Sequence, residues 1–302
     1  MGGILGWALP LACTVLSYGL AGGFWKLADL STGQFCLLFV LAKVVLNTGY
    51  WIGLGRPRVE WNAFLRYTLL GQVINGFAWA GYFSALATGP AAIVQTVTAA
   101  YTALAAVLAV IFLKERLVAI QVVGVAMVVG AGMLLGYGGG SDGAAGQAGW
   151  FAYSLVTLLC WGMAVVVFKH AYNQEGANDA VFSLGNLMGM AVTLLPFGFF
   201  TTSGTERWAA GLVPLAWLVV ILYAVGDLTL FAAINRGPAT IVSPLSGLYP
   251  IPTIAYSALV LHEAVLGSQW VAIAMVLVAI VLVVPAEDNP VMKLVRPARS
   301  QE

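Results

Sequence analysis

Two ionisable residues stand deep inside otherwise apolar runs: Lys43 in "FVLAKVVLN" and Asp227 in "YAVGDLTLF". A charge carried to mid-bilayer depth costs about 2.5–3.5 kcal/mol on insertion scales, so it needs a partner or a role. Two chemistries fit these residue types. The ammonium and the carboxylate can neutralise each other as a structural pair. Alternatively they hold the charges of a ligand, Lys43 an anionic group and Asp227 a cationic group or a proton. A zwitterion such as an amino acid satisfies both at once. Each has a companion one helical turn away, Asn47 after Lys43 and Tyr223 before Asp227, and an i, i+4 spacing puts each pair on one helix face.

The elements that must position them follow from composition. The chain of 302 residues is 61% hydrophobic and 8% charged, with a mean hydropathy of +0.94. Soluble domains carry about 25% charged residues, so there is too little polar surface here to cover a water-soluble globule. A net charge of +1 without a basic tract leaves no electrostatic footprint for nucleic acid. Cys13, Cys36 and Cys160 stand singly in apolar runs, which implies neither a disulfide nor a metal site. The first apolar run begins at Ile4 without a basic segment before it or a cleavage site after it, and reads as a retained span.

About 20 apolar residues cross a hydrocarbon core of about 30 Å. Ten such runs are legible, at about 4–25, 32–54, 63–86, 90–113, 118–137, 149–168, 180–200, 213–235, 238–261 and 266–284. They divide in two around the Gly-rich "GGGSDGAAGQAG". Displacing the sequence by 148 residues lays 83–131 on 231–279 without a gap, with 16 of 49 positions identical. The matches include Gly89/Gly237, Pro90/Pro238, Tyr101/Tyr249, Glu115/Glu263 and Gln121/Gln269, which apolar composition alone does not bring into one register. A displacement of 143 relates the first two spans of each half, pairing Lys26 with Lys169, Tyr18 with Trp161 and Lys43 with Asn186.

The expected organisation is therefore 1–137 as a first five-helix repeat, 138–148 as a flexible linker, 149–284 as a second repeat, and 285–302 as a cytoplasmic tail. Five spans per repeat is an odd number, so the second repeat enters the bilayer inverted. Ten Lys and Arg residues on the side of the termini against Lys26 and Arg207 on the other place both termini in the cytoplasm.

These features resemble the drug/metabolite transporter superfamily, in its EamA-type branch. The residues that carry the resemblance are "GPAAIVQTVTAAYTALAAVLAVIFLKERL" and its echo "GPATIVSPLSGLYPIPTIAYSALVLHEAV". The Glu that closes the fourth and ninth spans, and a basic residue in the second span (here Lys43), also belong to that pattern. The resemblance covers roughly 4–284. It implies an all-α polytopic protein of a bacterial-type inner membrane, a secondary transporter that exports or exchanges a small metabolite through a central cavity, with no cofactor. Substrates in that superfamily range over amino acids, sugars, nucleotide-sugars, organic cations and drugs. Proton exchange at Asp227 or exchange of substrate would drive it.

The resemblance also implies which spans line the cavity: the second to fourth and the seventh to ninth. Their polar and aromatic residues form the candidate binding set: Lys43, Asn47, Gln72, Asn75, Trp79, Gln95, Thr98, Tyr101, Asn186, Tyr223, Asp227, Ser243, Ser246 and Tyr249. Any one of these side chains can equally bond a neighbouring helix. Tyr18 and Trp161 fit the same cavity or an anchoring place at the interface. Glu115 and Glu263 read as end caps or loop ion pairs, with gating as the alternative.

Proline in the ninth span ("RGPATIVSPLSGLYPIP") marks a break of the kind tolerated where backbone faces protein or water. Gly- or Pro-interrupted segments at matching places in two repeats point to a binding region. The first-half copy lacks the inner prolines, so the second half is expected to be the more distorted. GxxxG spacings at Gly19/Gly23 and Gly185/Gly189 predict close helix packing.

Other classes are weaker. An intramembrane aspartyl protease needs two carboxylates sharing a proton, and Asp227 has no second aspartate inside a span. A channel needs rings of charge or carbonyls, and a facilitative channel or uniporter remains the alternative to a coupled carrier.

Overall fold

The computed structural model describes residues 5–113, 119–137, 144–204, 211, 213–236, 245–260, 262 and 267–283. Within them the chain forms α1 (Leu5–Ala28), α2 (Thr32–Gly53), α3 (Ala63–Thr88), α4 (Ala91–Ala99), α5 (Tyr101–Leu113) and α6 (Ala119–Tyr137). The second half forms α7 (Ala144–Tyr172), α8 (Asp179–Thr201), α9 (Pro214–Arg236), α10 (Pro250–Leu259) and α11 (Gly267–Val283). No strand occurs among the described residues.

Short polar stretches stop and restart the helices. Ser31 opens α2 with a capping box, its hydroxyl accepting from the Gln34 N–H while Gln34 Oε1 accepts from the Ser31 N–H. Asn62 and Asn178 cap α3 and α8 in the same sense. Between these ends the helices are mostly apolar, and polar residues such as Lys43, Gln72, Asn186 and Asp227 are buried. Among the described residues five helices (α1, α2, α7, α8 and α9) are long and apolar enough to cross a membrane. Leu9, Val45, Phe77, Val192 and Phe200 point outward, where hydrocarbon rather than water suits them.

The two halves are copies run in opposite directions. α2 and α8 are the same element of the two repeats, and they lie side by side antiparallel. Gly33 at the start of α2 lies against Thr201 at the end of α8, Lys43 meets Asn186 at mid-length, and the Asn47 amide donates to the Ser183 carbonyl. The other elements pair by the same symmetry: α1 packs on α9 as α7 packs on α3, α4 on α10, and α6 on α11. An all-α chain of two inverted repeats is thus the observed architecture. Gly19 approaches the Tyr249 carbonyl and Pro252, and Gly189 approaches Gln72 and the Leu69 carbonyl. A Cβ at either would lie within 2.7 Å of a neighbouring heavy atom, so the close packing expected of the GxxxG spacings is present.

The stretch expected as one span over 90–113 is two helices, broken at Ala100. The Ala100 and Ala103 N–H groups bond three residues back, and Thr98 and Thr102 turn their hydroxyls onto the Val94 and Ala99 carbonyls, a competition that bends helices. Leu248, 148 residues on, lies in an equivalent tight turn, with Leu248, Tyr249 and Ile251 also bonding three residues back. The first repeat therefore breaks without proline. Gly237, Pro238, Ser243, Pro244, Lys114, Glu115, Arg116 and Glu263 lie outside the described residues, as do residues 138–143 and 284–302.

Candidate functional site

Where α1, α2, α3, α8 and α9 meet, Lys43 and Asp227 form an ion pair. Lys43 Nζ donates to Asp227 Oδ2 and, at 2.7 Å, to Asn186 Oδ1, with the Phe39 ring centroid 4.7 Å away. The second carboxylate oxygen of Asp227 accepts from the Tyr18 hydroxyl. Lys43 is fully buried and Asp227 nearly so. An isolated charge at such a place would be strongly unfavourable, and the pair is held because each charged group also has a neutral partner, Asn186 for Lys43 and Tyr18 for Asp227.

From the pair a hydrogen-bonded chain runs on across the seam. The Asn186 amide donates to Gln72 Oε1 at 2.7 Å, the Asn75 amide donates to the same oxygen at 2.9 Å, and Trp161 Nε1 donates to Asn75 Oδ1 at 2.9 Å. The chain begins at Tyr18 and ends at Trp161, which are the same position of the two repeats. Asn47 adds a bond to Asn186 Oδ1 at 3.0 Å.

A second layer lies beside the broken helices. The Thr98 hydroxyl is 3.1 Å from that of Tyr249, and the Tyr101 hydroxyl is 3.5 Å from that of Ser246. Thr98 and Ser246 are equivalent, as are Tyr101 and Tyr249, so these contacts are one interaction written twice by the repeat. Rings close the space between the layers. Tyr18 lies 6.1 Å from Trp79, 6.2 Å from Tyr223 and 6.0 Å from Tyr249, while Trp79 lies 5.0 Å from Tyr223 and 5.4 Å from Trp161. Such rings present negative faces that attract a cation. Gln95 is fully buried and its Nε2 and Oε1 make no hydrogen bond, although Tyr82 lies beside it; Gln72 Nε2 and Asn47 Oδ1 are also unpartnered.

Thirteen of the fourteen candidate residues are therefore buried side chains about the seam of the two repeats; Ser243 lies outside the described residues. Three residues belong with them that sequence reasoning left out of the set. Tyr18 bonds Asp227, Trp161 bonds Asn75, and the Tyr82 hydroxyl lies 3.1 Å from that of Tyr223. The signal for the first two was their equivalence in the repeat.

Two aromatic triads flank the site. On one side Phe83 stacks on Trp25 at 4.8 Å and meets Phe39 at 5.5 Å. On the other, Phe182 meets Phe168 at 5.2 Å and Phe231 at 4.8 Å. The displacements of 143 and 148 carry Trp25 to Phe168, Phe39 to Phe182 and Phe83 to Phe231. Beyond the first triad a cleft of about 430 Å³ opens between the α1–α2 turn and the end of α8, lined by Asp29, Ser31, Gln34, Thr201 and Ser203. Nothing in the sequence marked it.

Comparison with known proteins places the fold and the family. A solved protein crystal structure shares the fold with a TM-score of 0.59 and 20% identity, covering 91% of this chain and 96% of its own. An uncharacterized protein of Methanocaldococcus jannaschii is 36% identical over 67 residues, 22% of this chain and 49% of the relative, so the match spans about half of that relative's length. The EamA-like transporter family matches twice, at residues 5–137 and 149–284. With two matches that take in nearly its whole length, the chain belongs to the EamA-like transporter family, multi-pass membrane transporters of the drug/metabolite superfamily.

Proposed function

We propose that this transporter is a secondary carrier that exports or exchanges a small zwitterion, an amino acid or a closely similar amine, by alternating access through the seam between its repeats. In this reading all ten segments span a bacterial-type inner membrane, with both termini in the cytoplasm. The observation that supports it is the buried Lys43–Asp227 pair, one charge from each repeat, walled by aromatic rings. A site that holds one cation and one anion stays electrically neutral only if what enters is neutral or zwitterionic. The ammonium of an amino acid replaces Lys43 at Asp227, and its carboxylate replaces Asp227 at Lys43.

Alternating access requires each end to open in turn, and the equivalent triads at Phe83 and Phe231 are the parts that would separate. A thermal-shift screen of amino acids, amines and sugars on purified protein tests the reading, repeated on Lys43→Ala and Asp227→Asn. Amino acids are expected to raise the melting temperature of the wild type and of neither variant. A sugar or amine that stabilises all three proteins alike would overturn it.

A further inference from the structure

The same ion pair bears on what moves with the cargo, an inference that rests on the central seam being the cargo site. We propose that Lys43 is a tethered counter-ion that takes the place of a co-transported proton, so that the empty carrier changes its facing with Asp227 unprotonated. Cargo then moves down its own gradient or in exchange.

A carboxylate that crosses between two sides of a membrane inside a dry seam must be neutralised on every journey. A lone carboxylate does this by binding a proton, and the proton is then carried along. Here the neutralising cation is covalently part of the chain. Lys43 comes from α2 of the first repeat and Asp227 from α9 of the second, and their helices pack directly. The Asp227 oxygens are both occupied, one by Lys43 and one by the Tyr18 hydroxyl, and Lys43 is further held by Asn186.

The titratable groups that interact with the carboxylate from neighbouring elements are Lys43 of α2, Tyr18 of α1 and Tyr101 of α5. Among the described residues no second carboxylate or histidine comes within ion-pair distance of either partner. The asymmetry of the repeat makes the same point. Lys43 is answered by Asn186 and Asp227 by Trp79, so each half supplies one charge and the pair exists only across the seam. When a zwitterion is bound, each protein charge exchanges its partner for one on the cargo and the sum remains zero. Loaded and empty carriers are thus equally neutral, and neither needs a proton.

The test begins without cargo. Infrared difference spectra of the reconstituted protein, taken from mildly acidic to mildly alkaline pH, are compared with those of Asp227→Asn. The wild type is expected to show no carboxylic-acid carbonyl band that Asp227→Asn removes, and Lys43→Arg is expected to behave alike. Lys43→Met is expected to gain such a band, lost again in Lys43→Met/Asp227→Asn. Liposomes loaded with a pH dye and given gradients of L-alanine, L-leucine or L-phenylalanine form the second arm. The wild-type rate is expected to change by less than about twofold over that range without internal acidification, whereas a one-proton step changes about tenfold per pH unit.

A titrating wild-type band that Asp227→Asn removes, or a proton moved with each amino acid, overturns the proposal, and the second reading needs only wild-type protein. Should no amino acid be transported while the infrared result holds, the zwitterion reading fails and the counter-ion stands.

Discussion

Lys43 and Asn186 occupy the same position in the two repeats, and their side chains touch, Nζ to Oδ1 at 2.7 Å. Residues related by an inverted repeat can meet in this way only near its two-fold axis. One copy therefore carries the charge and the other the amide that helps hold it, at the point where the halves join. Asp227 completes the arrangement by replacing what is Trp79 in the first repeat.

Breaking the pair on one side should cost more than removing it. Lys43→Met or Asp227→Leu alone leaves a buried charge without its partner and is expected to lower stability by about 3–5 kcal/mol. The double variant is expected to lose much less than the sum, since replacing both charges by apolar groups is often close to neutral. Unfolding of the three variants in detergent at one pH measures this, and additive losses would speak against direct pairing.

Gln95 should separate stability from function. Its buried amide makes no hydrogen bond, and an unsatisfied group of this kind costs about 1–3 kcal/mol. Gln95→Leu is expected to raise the melting temperature while weakening amino-acid binding, because the buried amide, beside Tyr82, is placed to bond cargo. Thermal unfolding and thermal-shift titration on the same sample report the two effects. A variant that is both less stable and unchanged in binding would make Gln95 a packing residue.

The aromatic triads should act at opposite ends. With a reporter cysteine at Thr98, Phe83→Ala is expected to increase labelling by an impermeant maleimide several-fold from the side of the α1–α2 turn. Phe231→Ala is expected to do so from the side of the termini. Equal increases from both sides for either variant would show that the triads are ordinary core.

Much of this was legible in the sequence, for identifiable reasons. Gly89-Pro90 and Tyr101 recur in one register as Gly237-Pro238 and Tyr249, so the duplication shows through apolar sequence. Lys43 and Asp227 announce themselves because charge at that depth is costly. That they meet each other was one of two open readings, since spacing along a helix fixes a face but not what faces it. Tyr18 and Trp161 were ambiguous because a ring with a polar tip suits an interface as well as a buried partner. The break at Ala100 has no proline to mark it. It arises from threonine hydroxyls competing for backbone carbonyls, and threonine is too common in such helices to mark a break.

The central claim is that cargo enters by separating Lys43 from Asp227. Solid-state NMR dipolar coupling between 15N at Lys43 Nζ and 13C at Asp227 Cγ, in reconstituted protein, measures that contact directly. Strong coupling in the empty carrier that disappears on saturation with a transported amino acid is the predicted result. Coupling that persists undiminished with cargo bound would leave the pair a structural rivet and contradict the account.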